Sequence, residues 1–506
     1  MAFEIDKKRI AKNTLMLYVR MAVTMLIGFF TTRVTLEQLG SDDFGLNSLL
    51  STIVAMLSFL NGSMGTAVQR FFSIEIGKGS ESSMKKVFSV GLYLHIVVAV
   101  VTVLLAELFA VFFLDRLQIP PDRLAAAQKV FQIAIASLAL NIILVPYSAL
   151  LRAREQFSST ATVEIVQAFL RLGVLYLLIV IPGDKLVVLS LLNFAVTLYY
   201  VTSIFCLARR FGESHTKPSR DKALIRQMLT FISMLVVTVL AQLVNLQGLQ
   251  VLINIFFSLT LNAAYGVAMQ VYTFVNTFVT NFKQSVVPQM VAAYGAGDRE
   301  GMFRLLNAGT KITSILLLLI SFPIAFEADY ILGLWLKTPP EHSGVLVALM
   351  VMNINVYSFA YFYNQAVQAS GKIVLQQSII SATYILSIAA AFICFKCGLS
   401  VDSAIWVSII CSAVQVGNNL YFCHRILGYD IADFLRKILM PCLITVAAVS
   451  AVLWTMVHFM PSGLLRAVAV LIVSTLMTGA LGYYFILNSR ERESVREFIS
   501  RKRKRQ

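Results

Sequence analysis

SSTATVEIVQAFLRLGVLYLLIVI, residues 158–181, is long and apolar enough to cross a bilayer, yet Arg171 stands about a dozen residues from each end. A charge at the membrane centre costs roughly 2.5–3.5 kcal/mol on insertion scales. Such a residue faces a polar interior or a partner. From mid-span Arg171 cannot snorkel to either surface. Glu164 and Gln167 precede it at steps that keep all three on one helical stripe. Two readings stay open. Either Glu164 or a neighbouring acid neutralises Arg171, because buried charges are normally paired, or Arg171 receives an anion and Glu164 responds to protonation.

Working outward, two more cations lie in apolar runs. Arg20 falls about eight residues into the first, roughly 12 Å deep, and Lys283 lies near a cytoplasmic end of another. Both are within snorkelling reach of an interface. The 506-residue chain is 58% hydrophobic and 13% charged, against about one-quarter charged in soluble proteins. It reads as an all-α polytopic membrane protein with about fourteen spans, from 13–36 to 464–488. Lys7, Lys8 and Arg9 precede a first run that holds Arg20 and no small-residue cleavage site, so this run is expected to stay as an anchor.

The net charge of +16 is distributed as topology requires. With alternate loops on alternate sides, roughly 30 of the 42 Lys and Arg fall on the side of both termini, and about six on the other. Both termini are therefore expected in the cytoplasm, and nucleic acid is not expected as a partner. The tail Arg501–Arg505 would touch anionic lipid headgroups. Cys394 and Cys397 have CxxC spacing without a second pair or a His cluster, so the cysteines read as small hydrophobes and no metal or cofactor is expected. His95, His215, His342, His424 and His458 are scattered, no phosphate-binding Gly-Lys-Ser/Thr loop occurs, and the outer loops hold about ten residues at most. No catalytic residue is assigned.

The hydrophilic loop 209–226 divides six spans from eight, and the halves look related. Phe44-Gly45 matches Tyr265-Gly266; at one constant offset Gly77 and Gly79 match Gly295 and Gly297, Met84 matches Met302, and Gly91 matches Gly309. Parallel six-plus-six repeats are a transporter architecture. The expected organisation is an N-lobe (1–208), a basic linker (209–226), a C-lobe (227–425), a C-terminal helix pair (426–488) and a basic tail (489–506).

Ile10-Ala-Lys-Asn-Thr-Leu15, Arg33-Val-Thr-Leu-Glu-Gln-Leu-Gly40 running into Asp43-Phe44-Gly45, and Ile331-Leu-Gly-Leu-Trp-Leu336 carry a resemblance. The chain resembles the oligosaccharide-lipid flippases, polysaccharide transporters of the multidrug/oligosaccharidyl-lipid/polysaccharide (MOP) superfamily. The resemblance implies a V-shaped, MATE-like fold in a bacterial cytoplasmic membrane. It implies a substrate too, an undecaprenyl-pyrophosphate-linked oligosaccharide (an O-antigen or capsule repeat unit) turned to the outer leaflet by alternating access. A polysaccharide polymerase and export machinery would be partners. Spans 437–458 and 464–488 would supply a groove for the lipid tail. Drug-exporting relatives often place a carboxylate in an N-lobe helix, whereas the first span here has Arg20 and Arg33 and no acid. A drug or cation exporter of the same fold is the alternative. A membrane polymerase or glycosyltransferase of the same pathway is disfavoured, because no outer catalytic loop or carboxylate motif is present.

Polar stripes supply the remaining site candidates. In the eighth span, 260–288, Asn276, Thr280 and Lys283 share a face as a cavity lining would, although Thr and Asn also glue membrane helices together. In the tenth, 344–369, Asn353, Tyr357, Tyr361, Asn364 and Gln368 combine amides with aromatic faces, which suit sugars or a packing seam. Arg20, Arg171 and Lys283 are expected to line one cavity and bind the pyrophosphate. Arg33, Arg70 and Gln250 are secondary candidates, and Glu327 with Asp329 is expected at the outer interface.

Overall fold

The computed structural model describes residues 7–57, 60–113, 120–257, 259–336, 339–489 and 491–493, and among them it is helical without a strand. Among the described residues twelve helices are long and apolar enough to cross a membrane. The described residues of the two remaining expected spans, 44–70 and 260–288, are helical as well. The second carries a dense polar stripe, Thr273, Asn276, Thr277, Thr280, Asn281 and Lys283, which lowers its mean hydropathy.

Contacts divide the chain into two compact units, Met1–Val236 with Val291–Gly297, and Val237–Met290 with Asp298–Gln506. Unit 1 contains α1 (Lys7–Leu57), α2 (Leu60–Lys78), α3 (Glu81–Phe113), α4 (Leu124–Ala153), α5 (Phe157–Val180), α6 (Lys185–Ala208) and the start of α7 (Lys222–Phe256). α1 is two helices joined at Gly40, whose φ of 76° and ψ of 174° lie outside the helical region. Its second part buries Leu46 and Leu50 against Ala106 of α3, Phe131 of α4 and Leu186 of α6. α5 meets α6 through Leu175, Leu178 and Leu189. At one end of this unit Arg123 binds both Asp43 and Asp184, the latter at 2.7 Å, while Asp184 also caps the first turn of α6.

The 209–221 linker is docked on unit 1. Buried Glu213 accepts from Arg154, Ser89 donates to the Lys217 carbonyl, and Asp221 accepts from the first amides of α7 at 3.1 Å. Both acids of this basic loop are thereby committed internally.

Unit 2 holds the rest of α7, most of α8 (Leu259–Gly295), α9 (Arg299–Phe326), α10 (Ala328–Leu336), α11 (Ser343–Ser370), α12 (Val374–Lys396), α13 (Asp402–Leu427), α14 (Ile431–Phe434), α15 (Met440–Phe459) and α16 (Leu464–Leu481). Its core joins Ile253, Tyr265, Val347, Phe395 and Ile405, from α7, α8, α11, α12 and α13. The C-terminal pair packs on α9 through Leu318, Phe322, Val449, Leu453 and Val470. Two ion pairs secure it: Arg466 to Glu327 at 2.7 Å, and Lys311 to Glu491 at 3.1 Å. Glu327, near the end of its span, is therefore internally paired. It is 2% exposed and receives a two-pronged guanidinium contact that offsets its desolvation.

The matched glycines have matched conformations. Gly79 and Gly297 both take positive φ, 68° and 79°, where a side chain would be strained. Gly77 and Gly295 mark a close crossing of α2 with the last turn of α8, the Val291–Gly297 piece of unit 1. A Cβ on Gly77 would meet the backbone of Ala292, and a Cβ on Gly295 would meet the backbone of Ile74. Ile74 and Ala292 are themselves separated by the repeat offset, so the contact is reciprocal.

Candidate functional site

In unit 1 the polar interior is built from α1, α2, α4, α5 and α6. Arg20 of α1 donates to Glu164 Oε2 of α5 at 2.8 Å, both side chains being partly buried. Glu164 thus pairs with Arg20 and not with Arg171. Arg171 itself is exposed and has no hydrogen bond or ion pair among the described residues. It lies one turn from buried Ala168 and from buried Leu175, on the side of α5 that packs.

Arg152, in the last turn of α4, belongs to the same region and was not among the sequence candidates. Its Nε donates to Gln69 Oε1 at 3.1 Å, and Tyr200 and Glu164 are close enough to act on its charge. Gly65, one turn before Gln69 on α2, leaves the space: a Cβ there would come within 2.9 Å of the Arg152 guanidinium. At a span end Arg152 reads as a topology charge. The signal that could have found it is the Gly65/Gln69 spacing, which clears one face of α2 for a large polar guest. Arg70 lies with its guanidinium 4.9 Å from the Phe71 ring centroid and 4.6 Å from that of Phe231. The side chain of Arg33 lies outside the described residues.

In unit 2 the eighth-span stripe is only partly open. Thr273 and Thr277 are exposed and Asn276 and Thr280 half-buried, but the hydroxyls of Thr273, Thr277 and Thr280 each donate to their own helix four residues back. Lys283 is 3% exposed and does not line an open surface; its ammonium sits 4.5 Å from the ring centroid of Tyr361. Gln250 is exposed.

The tenth-span stripe splits into two environments. Tyr357 bonds the Tyr384 hydroxyl of α12, which also bonds Gln415 of α13. Asn364 Oδ1 accepts from Gln368, Gln376 and Gln377 at 3.3, 3.1 and 2.9 Å, and Gln376 reaches on to Asn419. Thr238 of α7 closes this amide network onto Gln377 at 3.0 Å. Asn364 is thus committed to a network joining helices α7, α11, α12 and α13, with Gln368 bonded to it from the next turn of α11. The packing alternative describes them better than an open sugar platform does, because a carbonyl oxygen shared by three amides has no acceptor capacity left.

Among the described residues no group of three or more His, Cys, Asp or Glu is placed to hold a metal ion.

Residues 17–177 match the MatE family model, a stretch that includes Arg20, Arg152, Glu164 and Arg171. No curated protein matches the chain by sequence. Solved structures are similar across most of the length. The crystal structure of a MATE point mutant superposes with a TM-score of 0.72 at 14% identity, covering 83% of this chain and 96% of that one. The MATE transporter ClbM in complex with Rb+ gives 0.69 at 12% identity, with 84% and 96% covered. A MOP superfamily transporter from Pyrococcus furiosus, reported with a binding pocket of reverse polarity that suggests a different function, gives 0.68 at 15% identity, with 84% and 97% covered. The chain has the MATE fold of a multi-pass membrane protein.

Proposed function

We propose that this protein is a membrane transporter working by alternating access, whose substrate carries an anionic head group. The observation that carries this reading is the balance of in-span charge. In unit 1 Arg152 and Arg171 lie in the same region as Glu164, which is already held by Arg20, and unit 2 buries Lys283 without a carboxylate partner among the described residues. Guanidiniums suit phosphate oxygens, which they bind through two parallel bonds. A polyprenyl-pyrophosphate oligosaccharide, moved from the cytoplasmic to the outer leaflet of a bacterial inner membrane, is the substrate we favour within this class. The Pyrococcus furiosus transporter, whose pocket of reverse polarity suggests a different function, is a precedent within the fold for a pocket of altered polarity. No catalytic step is part of the proposal.

The fold's drug and cation exporters supply a second reading, supported by the Rb+ complex of ClbM and by Glu164, an intramembrane carboxylate that would be exposed on release from Arg20. Proteoliposome transport separates the two. Uptake of a short polyprenyl pyrophosphate, lost in Arg171→Ala, is expected for the first reading. Ethidium extrusion that survives Arg171→Ala and fails in Glu164→Gln would replace it with the second.

A further inference from the structure

Lys283 and Arg20 solve the same problem differently. Arg20 is neutralised by a carboxylate. Lys283 is more deeply buried, and among the described residues its ammonium has no hydrogen-bond or ion-pair partner; what it meets is the face of Tyr361, 4.5 Å away. That ring is held from behind. Tyr361 meets Phe362 edge-on at a centroid distance of 5.3 Å. Phe362 in turn fills the space over Gly309 of α9, where a Cβ would come 2.7 Å from the ring. One turn away on α11, the Tyr357 hydroxyl is spent on Tyr384. The aromatic wall is therefore fixed before any ligand arrives.

A buried ammonium without an opposing charge is costly. A carboxylate would offset the cost and cancel the field that a ligand anion needs. An aromatic face offsets part of it through the ring quadrupole and leaves the full positive charge in place. The ammonium also has three N–H donors, and among the described residues none of them is spent on a hydrogen bond. We propose that Tyr361 is a positioning residue that holds Lys283 as an uncompensated cation for the substrate's anionic group. This rests on the anionic-substrate reading above.

The test is calorimetric titration of the full-length, detergent-solubilised protein with farnesyl pyrophosphate, each variant being checked for monodisperse elution. Lys283→Gln is expected to lose most of the binding. Tyr361→Leu should weaken it by about thirtyfold, the size of a desolvated cation–π contact. Tyr361→Phe keeps the ring and should bind like the parent. Tyr361→Glu should abolish binding by pairing with the ammonium. If Lys283→Gln loses binding while Tyr361→Leu binds like the parent, or if Tyr361→Phe falls as far as Tyr361→Leu, the positioning role is wrong and the anionic reading stands. If Lys283→Gln binds like the parent, the anionic reading itself fails at this lysine.

Discussion

At the scale of single residues, Arg20 and Glu164 decide how the unit-1 charges are divided. A partly buried pair lies between the surface case, worth little, and the buried case, in which removing one partner strands the other. We therefore expect Arg20→Met and Glu164→Leu each to destabilise the protein more than the double variant does, with a coupling energy of about 1–3 kcal/mol. Thermal unfolding of the four proteins in detergent measures it, and simple additivity would show the pair to be incidental. Arg171, with no internal partner among the described residues, behaves differently. Arg171→Ala should leave folding intact and abolish transport, and Arg171→Lys should recover only part, because an ammonium cannot fork onto two oxygens. A fully active Arg171→Ala would remove it from the substrate path. The in-span position of these charges was legible in the sequence, since a cation among leucines is conspicuous. Their pairing was not: Arg20 and Glu164 are 144 residues apart, and no local spacing links them.

At the scale of elements, periodicity showed that α11 carries a polar stripe but not what the stripe meets. Its neighbours Gln376, Gln377 and Asn419 come from α12 and α13, whose own patterns look like ordinary apolar spans with a few amides. Asn364→Ala would strand amides that donate to one oxygen, a loss of about 1–3 kcal/mol for each buried group left unsatisfied. A clear fall in thermal stability is expected. A stable Asn364→Ala protein with altered glycan preference would return this residue to the substrate path. The crossing of α2 with the end of α8 makes a sharper claim. A methyl group at Gly77 or Gly295 would meet backbone, which cannot rotate away. Gly77→Ala and Gly295→Ala should therefore be destabilising to similar degrees, and Gly62→Ala, with open space around it, should be harmless. Unequal effects at Gly77 and Gly295 would count against the reciprocity of the contact.

At the scale of the whole molecule, the two less apolar spans set the number of crossings. If the expected span 44–70 and α8 cross, the chain passes fourteen times and the turn after α2 faces the cytoplasm; if neither does, that turn faces outward. Lys78→Cys in a cysteine-free background should react only with a membrane-permeant maleimide. Labelling by an impermeant reagent from outside would sink the fourteen-span topology. Six crossings before the 209–226 loop also leave both repeats with the same orientation, as the charge asymmetry requires. The reciprocal glycine contact then has a historical consequence. Residue 77 meets 292 as 295 meets 74, the signature of a self-complementary two-fold interface, normally formed by two identical subunits. Two copies of a half-length ancestor would have made this contact as a homodimer, before gene duplication and fusion. On that view the loop at 209–226 is a later tether, added to a partnership that already existed.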